Sequence, residues 1–219
     1  MAAITTLEIA GFAGKPLPNR FFRQEQAADR LGVVFPGLGY NCDMPLLYYP
    51  AKLLVDRGAD VLQLRPDYNV PGFLSLSGEE RARWAFADAT AALHAGLAER
   101  SYQHVTLVGK SIGTMALAHL LATEARLADA VTVWLTPLLR IPQVAEAAGR
   151  FHGPALYVAG TADPNFDADA MARVWEATGA ETLIVQGADH SMEIRGDLLR
   201  SVGVLQQVVH AIAGFLDRR

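Results

Sequence analysis

Short apolar runs rich in β-branched residues alternate along the chain with longer stretches of helical periodicity, and this alternation sets the strongest limit on the fold. Strands that are each followed by a helix form a parallel sheet, and the crossover helices then cover both of its faces. Near-continuous apolar character is typical of strands buried on both faces. The predicted strands of this sheet are LGVVFPG, ADVLQLRP, HVTLVGKS, AVTVWLTP, ALYVAGTAD and TLIVQGADH. The sequence therefore predicts an α/β fold with a mostly parallel β-sheet and helices on both faces.

Helices are predicted where apolar residues recur at positions i, i+3, i+4 and i+7. They are PLLYYPAKLLVDRG, EERARWAFADATAALHAGLAER, TMALAHLLATEARL, QVAEAAGR, ADAMARVWEATG and SVGVLQQVVHAIAGFLDRR. The second of them has a well-defined start, because Ser77 can cap its first turn and Glu80 follows three residues later, as in a capping box. Ahead of the first parallel strand, TTLEIAG and RFFRQEQ are candidates for one or two antiparallel strands.

A single domain is predicted over residues 1–219, because the chain is 51% hydrophobic and 19% charged, a composition that can build a large core. The connection from Pro137 to Phe151 has the length of an ordinary crossover, which leaves no room for an inserted lid. The stretch from Asp67 to Leu76 contains Pro71 and Gly72, which favour an irregular loop. The predicted domain is therefore compact and lidless.

Charge and targeting signals limit the classes of partner. A formal net charge of -4 and a pI near 5.8 give no basic field to attract nucleic acid or an anionic membrane. The first residues lack a secretory signal, and no apolar stretch approaches the roughly 20 residues of a membrane span. Cys42 is the only cysteine, so no internal disulfide can form, and a buried small side chain is favoured there over a reactive thiol. These features predict a cytoplasmic protein without nucleic-acid or membrane partners.

The motif Gly109-Lys110-Ser111-Ile112-Gly113 lies where the apolar strand HVTLV ends and the helix TMALAHLL begins. It matches G-x-S-x-G, in which the serine occupies a sharp strand-to-helix corner and the glycines leave room for the neighbouring backbone. The corner places the N–H of Ile112 at a helix start, where it can stabilise an anion. An ordinary Gly-Ser turn is the alternative. A phosphate-binding loop is excluded, because that pattern requires glycine where His104 stands.

A serine hydroxyl needs an adjacent base, and His190 is the histidine best placed to supply one. It follows the carboxyl end of the strand TLIVQG, and the carboxyl ends of parallel strands meet at one edge of the sheet. The other histidines fall within predicted helices or ahead of strands: His94, His104, His119, His152 and His210. His190 is therefore predicted to be the general base, with a solvated loop histidine as the alternative.

The same rule selects Asp163 as the acid, because it directly follows ALYVAGTA. A carboxylate there can accept the N–H of His190, fix the imidazole tautomer and stabilise the imidazolium. Asp189 is adjacent to His190, but neighbouring side chains on an extended loop diverge, so Asp189 is predicted to stabilise the loop. Asp167 and Asp169 fit the start of the next helix, where carboxylates serve as caps.

The glycine-rich loop after LGVVF can supply a second donor for an oxyanion. The predicted donor is the N–H of Leu38, with Gly39 next, and a tight turn without this role is the alternative. Aromatic residues on the same edge are candidates for a substrate pocket, although each could equally cap the core; they are Tyr40, Tyr68, Phe73 and Phe166. Lys110 is predicted to be a solvated lysine at the rim rather than a group that recognises an acidic substrate.

With Ser111, Asp163 and His190 in that order, the chain resembles the α/β-hydrolase superfamily from about LGVVFPG to its end, through the motifs VGKSIG, AGTADP and GADHS. The resemblance implies that these three residues form a catalytic triad, and that Ile112 and a residue of PGLG form the oxyanion hole. Two positions depart from the usual pattern, since Pro36 replaces a histidine and Thr114 replaces a small residue. The compact form is similar to small carboxylesterases and to proteins related to dienelactone hydrolases, although the latter use cysteine as nucleophile.

The predicted activity is hydrolysis of a small carboxylic ester, or a thioester, through an acyl-serine intermediate. The expected partner is a small acyl compound, and no metal or organic cofactor is needed. Esters, thioesters and some amides share this machinery, so the fold does not select among them. One alternative is a non-catalytic binding or scaffold protein, and another is an acyltransferase or perhydrolase on the same scaffold.

Overall fold

Eight strands form one sheet in the computed structural model, which describes residues 2–219. In chain order they are β1 (Ala2–Thr5), β2 (Asn19–Gln24), β3 (Arg30–Phe35), β4 (Asp60–Leu64), β5 (His104–Lys110), β6 (Val131–Leu135), β7 (Ala155–Gly160) and β8 (Glu181–Val185). Their order in the sheet is β1-β2-β4-β3-β5-β6-β7-β8. Strands β3 to β8 are parallel to one another, while β2 is antiparallel to both of its neighbours, β1 and β4.

Helices cover both faces of this sheet. In chain order they are α1 (Pro45–Asp56), α2 (Pro71–Leu74), α3 (Gly78–Ala98), α4 (Ile112–Thr123), α5 (Pro142–Arg150), α6 (Ala168–Thr178) and α7 (Leu198–Leu216). Helices α3 to α6 pack in succession on one face, and α1 packs against α7 on the other. One hydrophobic core lies beneath each helical layer. The predicted α/β fold with a mostly parallel sheet is confirmed, and no lid domain interrupts residues 2–219.

The central strands are buried on both faces, as their apolar runs predict. Every side chain of β4 and of β7 is buried. Adjacent residues enter opposite cores, since Leu107 of β5 packs beneath α3 to α6 and Val108 packs beneath α1 and α7. Side chains alternate between the two faces of a strand, so a strand between two helical layers needs apolar residues at successive positions.

Helix α3 begins at the capping box that the sequence predicts. The backbone N–H of Glu80 donates to Ser77 Oγ at 3.2 Å, and the backbone N–H of Ser77 donates to Glu80 Oε2 at 2.9 Å. Two N–H groups that lack partners inside the helix are thereby satisfied. The start of α3 lies at the carboxyl edge of the sheet, where the candidate catalytic residues also lie.

Two segments have a different secondary structure from the one that the sequence predicts. The first strand is Ala2–Thr5 rather than TTLEIAG, because the side-chain amide of Asn19 bonds both the N–H and the carbonyl of Leu7 and holds that segment out of the sheet. The stretch predicted as an irregular loop contains the one-turn helix α2. Pro71 occupies its first turn, where the fixed φ of proline suits a helix.

Helix α7 has the predicted length of 19 residues but begins and ends three residues earlier than predicted. Its most apolar 18-residue stretch has a mean hydropathy of 1.3, so by length and composition α7 could cross a membrane. The expectation that no apolar stretch approaches that length is therefore wrong. One face of α7 packs on the sheet through the buried side chains of Val204, Val208, Ile212 and Phe215.

Candidate active site

Ser111 occupies a strained corner between β5 and α4. It is the single residue between the end of β5 and the start of α4. Its backbone angles, φ 53° and ψ -117°, lie in a region that residues other than glycine rarely adopt. Although Ser111 stands at the N-cap position of α4, its side chain makes no capping hydrogen bond. The helix start therefore leaves the hydroxyl free to interact with a base.

Gly109 and Gly113 provide the space that this corner needs. A Cβ on Gly109 would lie 2.6 Å from the carbonyl oxygen of Gly113, and a Cβ on Gly113 would lie 2.9 Å from that of Pro36. Both distances are far inside van der Waals contact. Side chains at these positions would force α4 away from β5 or displace the loop after β3, as the G-x-S-x-G pattern predicts.

His190 lies on the loop between β8 and α7 and bonds to a carboxylate on the loop after β7. Its Nδ1 is 2.7 Å from Asp163 Oδ2. An ionised carboxylate only accepts hydrogen bonds, so Nδ1 carries the proton and Nε2 is left unprotonated in the neutral ring. The side chain of Asp163 is 2% exposed and that of His190 is 32% exposed. The imidazole thus connects a buried carboxylate to accessible space, while its contact with Ser111 stays a prediction.

Several hydrogen bonds keep Asp163 ionised and oriented. Burial acts to raise the pKa of Asp163, but the hydrogen bonds from His190 and Asn165 outweigh it and lower that pKa below its ordinary value. The backbone N–H of Asn165 donates to Asp163 Oδ1 at 2.8 Å, and the Asn165 side chain donates to the same oxygen at 3.2 Å. One carboxylate oxygen is therefore fixed by Asn165 and the other is left for His190.

The turn after β3 borders Ser111 and carries Leu38, one of the two residues whose N–H groups are predicted to form an oxyanion hole. The loop after β3 turns back between Gly37 and Tyr40, and the N–H of Gly37 donates to the carbonyl of Tyr40 at 2.9 Å. A Cβ on Gly37 would lie 3.4 Å from Ser111 Cβ, so this turn borders the serine. Within residues 2–219, neither the N–H of Leu38 nor that of Ile112 donates to a backbone carbonyl outside a helix or strand. Both donors are candidates for the hole.

No family model matches this sequence, and no curated protein matches it. Solved structures do. A putative α/β hydrolase of unknown function from Agrobacterium tumefaciens matches with a TM-score of 0.76 and 16% identity, over 100% of this chain and 96% of that one. An esterase from Pyrococcus furiosus matches with a TM-score of 0.73 and 13% identity, over 99% and 91%. An α/β serine hydrolase without a lid from Xanthomonas campestris matches with a TM-score of 0.64 and 20% identity, over 96% and 94%.

This chain has the α/β-hydrolase fold. The matches cover 96–100% of this chain, so they establish the fold even though the sequence identity is low. At 13–20% identity they show the fold alone, so the catalytic roles of Ser111, Asp163 and His190 stay predictions.

The prediction that Lys110 is a solvated lysine at the rim of the site is wrong. Lys110 is only 1% exposed. Its Nζ donates to the carbonyl oxygen of His190 at 2.9 Å and to Thr136 Oγ1 at 3.2 Å, and it lies 4.4 Å from the centroid of the Tyr40 ring. The polar partners and the aromatic face replace water around the ammonium, which lets it stay inside.

The aromatic pocket candidates differ in their surroundings. The half-buried Tyr40 borders the site through its contact with Lys110. Tyr68 is buried, stacks on Phe73 and donates its hydroxyl to Asp88 at 3.0 Å, and it also lines a small void beside Ile112 and Gly113. Phe73 is fully buried and caps the core. Phe166 is partly buried against the core under α3 to α6 and follows the Asp163 loop.

Cys42 is a buried structural residue. Its Sγ donates to the carbonyl of Leu64 at 3.1 Å, and burial raises the pKa of the thiol to about 12. The thiolate is the reactive form of cysteine, so this side chain is chemically inert at neutral pH. Within residues 2–219, no group of three or more His, Cys, Asp and Glu side chains is arranged to hold a metal ion.

Two threonines, neither of them predicted to have a role, connect the Ser111 corner to neighbouring loops. Thr114 donates its hydroxyl to the carbonyl of Ser111 at 2.6 Å and accepts the backbone N–H of Leu138 at 3.2 Å. Thr136 is fully buried with φ 45°, and it accepts the bond from Lys110. The only sequence signal was the presence of Thr114 where the family usually has a smaller residue.

Proposed function

We propose that the protein is a serine hydrolase that cleaves a small carboxylic ester, or a thioester, with Ser111 as nucleophile, His190 as general base and Asp163 as the orienting acid. The observation that carries the proposal is the 2.7 Å bond from His190 to the buried Asp163. The same histidine is bonded through its carbonyl to Lys110, the residue before Ser111. The three side chains thus belong to loops that are tied together at one edge of the sheet.

The first half of the reaction forms an acyl-serine. Nε2 of His190 takes the proton of the Ser111 hydroxyl while Oγ bonds to the acyl carbon, and the carbonyl π-electrons move to oxygen. Asp163 accepts the Nδ1 proton in a hydrogen bond and stabilises the imidazolium. The N–H groups of Ile112 and Leu38 donate to the oxyanion. As this intermediate collapses, the imidazolium gives its proton to the departing alcohol.

The second half releases the acid. A water molecule gives a proton to Nε2 of His190 and attacks the acyl carbon, and the same N–H groups stabilise the second oxyanion. Collapse of that intermediate breaks the bond to Ser111 Oγ, which recovers its proton from the imidazolium. The protein ends in its starting state, with one ester and one water converted to an acid and an alcohol.

Structural neighbours support ester chemistry at the level of the fold. Besides the Pyrococcus furiosus esterase, a cold-adapted esterase from an Arctic intertidal library matches with a TM-score of 0.66 and 18% identity, over 95% of this chain and 93% of that one. These proteins have the same scaffold with different sequences, so they raise the expectation of an ester without identifying it.

Labelling with a fluorophosphonate tests the proposal, because only an activated serine displaces fluoride from phosphorus at a useful rate. We expect the folded protein to gain one adduct, and mass spectrometry of the digested protein should find it on Ser111. Heat-denatured protein, in which His190 and Asp163 are separated, should remain unlabelled. Folded protein that does not react would instead indicate the non-catalytic binding or scaffold alternative.

Short acyl chains are expected to be the better substrates. The small void that borders Ile112 and Gly113 has a volume of only about 10 Å³. A much larger groove of about 1230 Å³ lies between α3, α4 and α5, but Ser111, Asp163 and His190 do not line it. Added methylenes therefore find little apolar surface beside the serine, and kcat/KM should stop rising early in a chain-length series.

This expectation can be measured with p-nitrophenyl esters of two to about sixteen carbons, below and above their solubility limits. The profile should peak at short chains and show no jump when the substrate aggregates. A maximum at about ten carbons or more would contradict it. In that case Met115 and Ile141, which line the groove, should be replaced with tryptophan to ask whether the groove holds the chain.

A further inference from the structure

Lys110 is the one feature beside the triad that the mechanism above leaves unused. A lysine has a long side chain that normally reaches water, yet this one is 1% exposed. Its ammonium is surrounded by the carbonyl oxygen of His190, the hydroxyl of Thr136 and the ring face of Tyr40. These partners come from three loops at the carboxyl edge of the sheet. Lys110 therefore joins those loops at a point directly beside Ser111.

Burying an ammonium has a large cost. Burial lowers the pKa of Lys110 to about 8, and the carboxylates of Asp163 and Asp189 act in the opposite direction. A methionine of similar length would fill the same space without losing the hydration of a charge, and such replacements of buried ions are often neutral or stabilising. The contribution of Lys110 to stability alone does not account for the placement of its charge.

We propose that Lys110 is a positioning residue, whose hydrogen bond to the carbonyl oxygen of His190 fixes the backbone of His190 relative to Ser111. The inference rests on the proposed function, because it assigns His190 the role of base. Two observations carry it: the 2.9 Å bond from Lys110 Nζ to that carbonyl, and the position of Lys110 directly before Ser111 in the chain.

The other charged and titratable groups around the ammonium have partners of their own, which leaves the His190 carbonyl to Lys110. Asp163 is engaged by His190 and Asn165. Asp189 accepts the N–H groups of Ser191 and Glu193 within its own loop. Burial raises the pKa of the Tyr40 phenol to about 12, so its ring is neutral, and the exposed Glu193 acts on that phenol only at a distance.

The test compares Lys110→Met with the wild-type enzyme. We expect kcat to fall by about 10- to 100-fold, because small displacements of a catalytic group cost rate steeply, with KM changed by less than about twofold. The melting temperature should be unchanged or higher, since no ammonium is buried.

Two further variants test the hydrogen bond itself. Lys110→Arg keeps an N–H donor for the His190 carbonyl in an altered geometry, so kcat should be only partly reduced. Lys52→Met is the matched control, because Lys52 lies on α1 with its side chain 52% exposed. It should leave kcat and KM unaltered.

Hydrogen–deuterium exchange measures how firmly the His190 loop is held, and it does so without any turnover of substrate. Amides over residues 186–194 should exchange faster in Lys110→Met than in the wild type or Lys52→Met, because the loop has lost its bond to the corner. Unchanged exchange together with unchanged kcat overturns the inference, and so does a loss of rate that only follows a loss of folded protein. A failure of the proposed function would give a different result: the wild-type protein itself would neither hydrolyse esters nor react with the fluorophosphonate.

Discussion

Replacing Ser111 with alanine should abolish ester hydrolysis and leave the folded structure intact. The change removes the proposed nucleophile, so kcat should fall by about 10⁴- to 10⁶-fold, and the residual rate would come from substrate binding and the oxyanion donors. Stability should change little, because the Ser111 side chain makes no capping hydrogen bond to α4. Alanine also meets the same backbone strain at φ 53° that serine already tolerates.

The measurement is kcat for p-nitrophenyl acetate, together with labelling by the fluorophosphonate and the melting temperature. Ser101→Ala is a matched control, because Ser101 is an exposed loop serine that follows α3. That variant should keep both activity and labelling. Unchanged turnover in Ser111→Ala would falsify the assignment of the nucleophile and would turn attention to Ser191, which lies beside His190.

The placement of the candidate triad follows from topology more than from local pattern. In a parallel sheet every strand ends at the same edge, so residues that directly follow β5, β7 and β8 are brought near one another. The G-x-S-x-G motif selects Ser111, and that rule then selects Asp163 and His190 from the sequence alone. The 2.7 Å contact of His190 with Asp163 is the distance that this reasoning requires.

The environment of Lys110 could not be predicted in the same way. A lysine next to the serine of G-x-S-x-G is exposed unless other segments cover it. Here the cover consists of Tyr40 after β3, Thr136 after β6 and the His190 loop after β8. Each of these contacts depends on how loops from distant strands fold over the edge, and no periodicity in the sequence encodes that information.

The start of the chain shows a second limit of local pattern. TTLEIAG has the composition of a strand, but whether it pairs depends on competing partners for its backbone groups. The amide of Asn19 takes both polar groups of Leu7, and Leu17 N–H donates to the carbonyl of Ile9 at 2.8 Å. Those bonds form a loop instead of an edge strand, and pairing with β2 is left to Ala2–Thr5.

Asp163→Asn is expected to slow the reaction by about 10³- to 10⁴-fold, for a reason that the hydrogen bonds around Asp163 specify. Asn165 donates two bonds to Oδ1, so the oxygen of an introduced amide will face Asn165 and its NH₂ group will face His190. An NH₂ donor requires Nδ1 to be the acceptor, which moves the imidazole proton to Nε2. A protonated Nε2 cannot take the proton of Ser111.

Because asparagine has nearly the same shape as aspartate, the melting temperature of Asp163→Asn should stay close to that of the wild type. A loss of rate in a variant that is still folded can then be attributed to the changed tautomer of His190.

Asp189→Asn is the control. Asp189 Oδ1 accepts the N–H of Ser191 at 2.8 Å and that of Glu193 at 3.1 Å, and an amide oxygen can accept both bonds, so kcat should change by less than about tenfold. If Asp189→Asn were the crippling change and Asp163→Asn the mild one, the orienting acid would be Asp189. The bond between Asp163 and His190 would then be a structural contact only, and Asp189 would determine which nitrogen of the imidazole carries the proton.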